Sequence, residues 1–321
     1  MAERTFAYYP GCSGAGTSVE YDKSTRAVCE VLGIKLVDIP DWNCCGATSG
    51  HQTDQVLAAA LGARNLAQSE QLGLGEILTP CPSCLKNLHH TIERMKEPGF
   101  TERVNALTHR PLTREHSIKT VLQVILEDIT PEEVAKHVKT PLTGLKIVPY
   151  YGCLMNRPGK SMHFDDDENP MALDRLMAAI GCEVLDFPLK QDCCGGSSGV
   201  ADNKVTARLS GRHLQVADLL GADAMVVACP LCQMNMDMRQ GQANAYYGTN
   251  IKIPVFYYTQ LMGLAFGLDK SKLALNKLIV DPAPALAKIG KTAAPEAKPE
   301  AASKPSAAKK AGEAVKEEAQ A

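Results

Sequence analysis

Hydrophobic and polar positions along this 321-residue chain alternate between a strand-like and a helix-like period. Residues 5–9 form a short apolar run that ends at Pro10-Gly11, as a buried strand entering a turn would. Residues 18–32 have helical spacing, and Gly33 stands where a C-terminal cap belongs. From Ile34 to Ile39 the pattern alternates residue by residue, which predicts a half-buried strand closed by Pro40. Residues 53–72 read as a helix through Val56, Leu57, Ala60, Leu61 and Ala67. Residues 76–79 read as a short strand, and residues 85–95 begin the next helix. Strands alternating with helices predict an α/β fold with parallel pairing and right-handed crossovers.

The cysteines then pause. Residues 96–143 are charged, helical in period and punctuated by Pro98, Pro111, Pro131 and Pro141, with residues 118–128 as the best helix. After them the first pattern recurs: strand 145–150, helix 170–180, Gly181, strand 183–187, Pro188. Gly33 superposes on Gly181 and Pro40 on Pro188, an offset of 148 residues, so internal duplication is the economical reading. The expected organisation is a first cysteine-rich half over 4–95, a helical inter-half region over 96–143 and a second half over 144–270. Each half should carry a short, mainly parallel sheet flanked by helices. Residues 282–321 consist of Ala, Lys, Glu, Pro and Ser with few core-forming side chains, and read as a disordered tail.

Charge narrows the function little. With 34 Lys and Arg against 36 Asp and Glu the net charge is -2, which gives no general attraction to nucleic acid or an anionic membrane. The apolar stretch 253–268 contains Thr259 and Gln260 and is too short for a transmembrane segment. Twelve cysteines in a long chain that opens Met1-Ala2-Glu3-Arg4, without an apolar leader, point to reduced thiols and a cytoplasmic protein.

Ten of those cysteines form two sets of five. The first is Cys12, Cys44, Cys45, Cys81 and Cys84; the second is Cys153, Cys193, Cys194, Cys229 and Cys232. Each runs as a lone cysteine in a Tyr- and Gly-containing phrase, 31 or 39 residues, Cys-Cys-Gly, then a Cys-Pro-x-Cys after 35 or 34 residues. A C-x-x-C presents two thiolates on one turn, whereas adjacent cysteines do not easily meet on one atom and suit a site with several metals. Five thiols exceed the four of a structural zinc site, and the ferredoxin run C-x2-C-x2-C is absent. Either C-x-x-C taken alone also fits zinc or a redox dithiol. Cys29 and Cys182 have no counterparts in the other half and read as small buried hydrophobes. His89, His90, His109 and His116 lack ligand spacing to a Cys-Cys pair and read as surface or capping residues.

The repeated pattern resembles the cysteine-rich CCG domain, and two copies resemble the B subunits of heterodisulfide reductases over roughly residues 4–270. The resemblance implies two non-cubane [4Fe-4S] clusters, one on each five-cysteine set. It also implies that a small disulfide or thiol substrate reacts between them by one-electron steps. The partners it implies are a ferredoxin-like C subunit with cubane [4Fe-4S] clusters and a flavoprotein A subunit. Methanogenic members carry a histidine directly after the cysteine matching Cys153; this chain has Leu154, so a general acid is missing there. Arg157, Lys160 and His163 in the long loop 154–169 are candidates to bind an anionic substrate or donate a proton, against the plainer reading of a solvated charged loop. The same domains also occur in electron-transfer proteins that relay electrons to quinones or flavin oxidoreductases, which is the alternative function.

Overall fold

The computed structural model describes residues 4–162 and 164–291, except the side chains of Lys160 and Ser161. Two four-stranded, wholly parallel sheets make up the body. In the first, β1 (Arg4–Tyr8), β2 (Ile34–Asp38), β3 (Glu76–Thr79) and β4 (Ser117–Thr120) lie in the order β2-β1-β3-β4. In the second, β5 (Lys146–Tyr150), β6 (Glu183–Val184), β7 (Ala224–Val227) and β8 (Val255–Tyr257) repeat that order as β6-β5-β7-β8. Both central strands are apolar because helices cover both faces of a parallel sheet: all four residues of β7 are buried.

The expected strands and helices recur with small shifts. The helix expected over 18–32 spans Val19–Val31, and Gly33 takes the left-handed conformation after it. The expected strand over 183–187 pairs only over Glu183–Val184, with one further bond from the Leu185 N–H to the Ile147 carbonyl. Residues 118–128 are a larger departure. Their first part is β4, with Ile118 and Thr120 buried, Ser117 exposed and Lys119 half-buried. The chain turns helical only after Thr120, whose side chain caps the Gln123 N–H while Gln123 caps Thr120 in return. Strand and helix therefore share one apolar run that the helical period alone had claimed. The apolar stretch 253–268 splits in the same way, into β8 and the helix Tyr258–Ala265, again capped by a glutamine, Gln260.

Residues 283–291, expected to belong to the tail, are folded onto the body. Ala283–Leu286 is a helical turn, Ala285 is buried, and Leu286 and Ile289 pack against the core. The Gly290 N–H bonds the Thr143 carbonyl at 2.8 Å, and Lys288 pairs with Asp223. Residues 292–321, the remainder of that expectation, lie outside the described residues.

One hydrophobic core runs from β1 and the helix Val19–Val31 into both faces of the second sheet. Its centre is aromatic: Tyr21 stacks on Tyr257 at 3.9 Å and meets Tyr258 edge-on at 6.1 Å. The Tyr21 hydroxyl lies 3.0 Å from two acceptors, the carbonyls of Pro80 and Ala228. Those residues immediately precede Cys81 and Cys229. A single phenol thus ties together the points where the two halves deliver their C-x-x-C cysteines.

Candidate metal centres

Each set of five thiols is assembled from three places in its half. The lone cysteine follows the first strand, the Cys-Cys pair follows the second, and the C-x-x-C bridges the end of the third strand and the start of a helix. The C-x-x-C helices, Pro82–Arg94 and Pro230–Gln233, begin with proline directly after an extended cysteine. Proline costs nothing at that position, where its missing N–H would have had no partner.

Two glycines let the lone cysteines come close. Gly11 and Gly152 adopt φ of +71° and +72°, where a side chain is strained, and a Cβ on them would stand 3.1 and 2.9 Å from the sulfurs of Cys84 and Cys232. The residue two before each glycine, Tyr9 or Tyr150, then braces the Cys-Cys loop. The Tyr9 hydroxyl donates to the Asn43 carbonyl at 2.7 Å, and Tyr150 donates to the Asp192 carbonyl at 2.5 Å. Burial is the main cause raising both phenols above their ordinary pKa, and four thiols of the local set add to it in each case.

Within the pairs, successive side chains diverge. Cys44 and Cys193 are exposed, whereas Cys45 and Cys194 are buried. The Cys44 sulfur lies 3.6 Å from Cys12, Cys45 lies 3.5 Å from Cys84, and Cys194 lies 3.6 Å from Cys232. Neighbouring thiols divide into donors and acceptors. Cys45 is drawn down to about 3 by hydrogen bonds from Cys44 and Cys84, while those donors are pushed up. Cys81 is lowered first by the Cys84 thiol and further by the N–H groups of Cys84 and Ser83 at the helix start. In the second set Cys193 falls to about 6 through Cys153, and Cys194 to about 7 through Cys232, the Gly196 N–H and Asn235.

Two asparagines complete the frame, and the sequence reading passed over them. Asn87 donates to the Cys45 carbonyl, and Asn235 donates to the Gly196 carbonyl at 2.9 Å and the Cys194 carbonyl at 3.3 Å. They stand 148 residues apart, the same offset as the C-x-x-C cysteines, so the signal was present in the repeat. A buried ion pair, also unforeseen, supports the second set. Lys190 Nζ meets Asp174 at 2.7 Å, with side chains only 6% and 8% exposed, and Asp174 accepts the Tyr151 hydroxyl at 2.6 Å. The Lys190 carbonyl receives the N–H groups of Tyr151 and Gly152, the two residues before Cys153.

The loop candidates lie apart from this frame or beyond description. Arg157 is held by its own loop, through the Asp167 carbonyl at 2.7 Å and the Glu168 carboxylate at 3.3 Å. His163 and the side chain of Lys160 lie outside the described residues. Leu154, by contrast, lines a cavity of about 270 Å³ together with Ala47, His51, Ser83, Lys86 and His90 of the first half. Imidazoles missing at position 154 are therefore present opposite it. His116 is not at the surface: it is buried against Ser69 and Glu70. Cys29 and Cys182 are buried, and burial pushes both thiols up to about 12, as inert core residues require.

Among the described residues no group of three or more His, Cys, Asp or Glu closes on a single metal ion. The thiols are instead strung out in contacting pairs, with no carboxylate or imidazole in the string. An all-thiolate donor set of that kind suits soft, sulfur-bridged iron better than one hard ion. Fold and sites together define a duplicated protein that gathers one set of five cysteines at the strand ends of each half. The chain belongs to the CCG cysteine-rich domain family, whose model matches residues 6–89 and 147–237. It is 31% identical, over 87% of its length and 98% of the relative's, to the 8-methylmenaquinol:fumarate reductase membrane anchor subunit of Wolinella succinogenes. It is 29% identical, over 88% of its length and 95% of the relative's, to the B subunit of the ferredoxin/F(420)H(2)-dependent CoB-CoM heterodisulfide reductase of Methanosarcina acetivorans. A hypothetical protein from Helicobacter pylori shares the fold, with a TM-score of 0.70 at 15% identity; this chain covers 52% of that structure. Among the described residues no helix is long and apolar enough to cross a membrane.

Proposed function

We propose that the chain is the iron-sulfur catalytic subunit of a heterodisulfide reductase-like complex. Cys12, Cys44, Cys45, Cys81 and Cys84 would hold one non-cubane [4Fe-4S] cluster, and Cys153, Cys193, Cys194, Cys229 and Cys232 the other. When bound, such clusters supply single electrons and iron sites that take sulfur. The net reaction is RS–SR′ + 2 e⁻ + 2 H⁺ → RSH + R′SH, or its reverse. Electrons would pass to or from a ferredoxin-like protein with cubane clusters, itself served by a flavoprotein.

One observation carries this reading: the cavity beside the first Cys-Cys loop is closed by Leu154, the residue that follows the lone cysteine of the second set. A small molecule there is bordered by both halves, as a substrate with two sulfurs requires. The long loop 154–169, with Arg157, Lys160 and His163, begins at that wall residue, and we assign it to substrate choice.

A second reading, electron relay to or from a quinone, is favoured by the 31% relative, whose name couples a menaquinol to fumarate reduction. Electron paramagnetic resonance of the anaerobically purified protein separates the two. A new paramagnetic signal on oxidation with a thiol present supports disulfide chemistry. Clusters indifferent to every thiol, yet reduced by a menaquinol analogue, would establish the relay instead.

A further inference from the structure

The cavity at Leu154 has side chains that holding a cluster does not require. Lys86 and His90 project from the C-x-x-C helix Pro82–Arg94, and His51 comes from the short helix Gly50–Thr53 after the Cys-Cys pair. The rings of His51 and His90 are 5.8 Å apart. Lys86 has no carboxylate partner among the described residues, and no Asp or Glu lines the cavity. The duplication provides an internal comparison. At the 148-residue offset Lys86 becomes Met234 and His90 becomes Met238, while the short helix Ser198–Ala201 carries no ionisable side chain. Asn87, which braces the Cys-Cys loop, is by contrast retained as Asn235. In the second half Arg239 sits one helix position further on, against Gly199. The frame residues are thus kept in both halves, whereas Lys86 and His90 have no basic counterpart at the matching positions, and the second half's cations, Arg239 and Lys204, share their cavity with Asp202.

We propose that Lys86, His51 and His90 form an oxyanion subsite that seats the carboxylate, sulfonate or phosphate of a small thiol or disulfide, directing its sulfur towards the first five-cysteine set. The proposal rests on the thiol-redox reading above, and it adds the substrate's charge and its orientation. Lys86 supplies the standing charge and the imidazoles supply N–H donors, a combination that distinguishes an oxyanion from a hydroxyl of the same size. The opposite end of the substrate meets Leu154, the apolar wall that the second half contributes, so the two sulfurs of an asymmetric disulfide would be told apart.

Two thiols that differ in one group test this: thioglycolate, which is anionic, and 2-mercaptoethanol, which is neutral. The holoprotein is exposed to each under anaerobic conditions, and acylation of Lys86 by an N-hydroxysuccinimide acetate is followed by mass spectrometry. Thioglycolate should slow Lys86 acylation at least about threefold, and 2-mercaptoethanol should not. The Lys86→Met/His90→Met variant, which carries the second half's residues, should keep its iron. It should need about tenfold more thioglycolate for the same paramagnetic change. Equal protection by both thiols, or none by either, overturns the subsite whatever the variant does. Protection by thioglycolate without any response of the clusters to thiols sustains the subsite and sinks the disulfide reading. Cluster responses to both thiols with Lys86 unprotected do the reverse.

Discussion

Replacing Lys190 with methionine should weaken the second half far more than its single position suggests. Its ammonium and the Asp174 carboxylate meet at 2.7 Å with almost no solvent access, so removing one leaves the other charged and unpaired in the core. That loss is about 3–5 kcal/mol. An exposed pair of the same type, Arg212 with Asp192, has side chains 53% and 45% exposed and contributes about 0–1 kcal/mol. For a body of this size the first loss lowers Tm by on the order of 10 °C, and Arg212→Met by about 2 °C or less. The damage should be local as well. The Lys190 ammonium holds Asp174, which accepts the Tyr151 hydroxyl two residues before Cys153, so the centre built on Cys153 should lose metal while that on Cys12 keeps it. Differential scanning fluorimetry and iron analysis measure both effects. Removing both charges, as Lys190→Met with Asp174→Leu, should restore most of the stability, because the paired charges cost much of their attraction in desolvation. The reasoning is refuted if Lys190→Met melts with the wild type, or if the double variant melts no higher than the single one.

Tyr21→Phe keeps the aromatic stack but leaves the carbonyls of Pro80 and Ala228 without their shared donor, and should cost about 1–3 kcal/mol in chemical denaturation with iron content unchanged. Asp237 gives a pH effect of defined sign. Burial raises its carboxyl to about 6 from an ordinary 3.8, so the folded state binds more protons than the unfolded state between those values and stability falls as pH rises from about 4 to 6. Asp237→Asn should flatten Tm across that range, and an unchanged slope would assign the effect to another group.

The sequence made the chemistry more legible than the connections between its parts. Ten cysteines, the glycines beside them and the 148-residue repeat are local or periodic signals, and they led to both thiol sets and to two parallel sheets. β4 was hidden because its four residues run straight into a helix, so one apolar stretch carried two periods. Tyr21 reaches Ala228 across 207 positions, and nothing in the spacing announces such a contact. Asn87 and Asn235 were visible as a repeat, yet asparagine in a helix reads as ordinary surface until its amide is seen on a cysteine carbonyl. His90 does lie at the surface, as its sequence context implies, and only the approach of His51 and Leu154 makes that surface a cavity wall.

The central claim is that each half holds its own polynuclear iron-sulfur centre, and metal analysis of two single substitutions tests it most directly. Anaerobically purified wild type should contain about eight irons with matching acid-labile sulfide, as two four-iron clusters require. Cys45→Ser and Cys194→Ser should each reduce that to about four and leave the spectrum of the other centre in place. Zinc without labile sulfide in the wild type, or either variant retaining all its iron, would contradict the account.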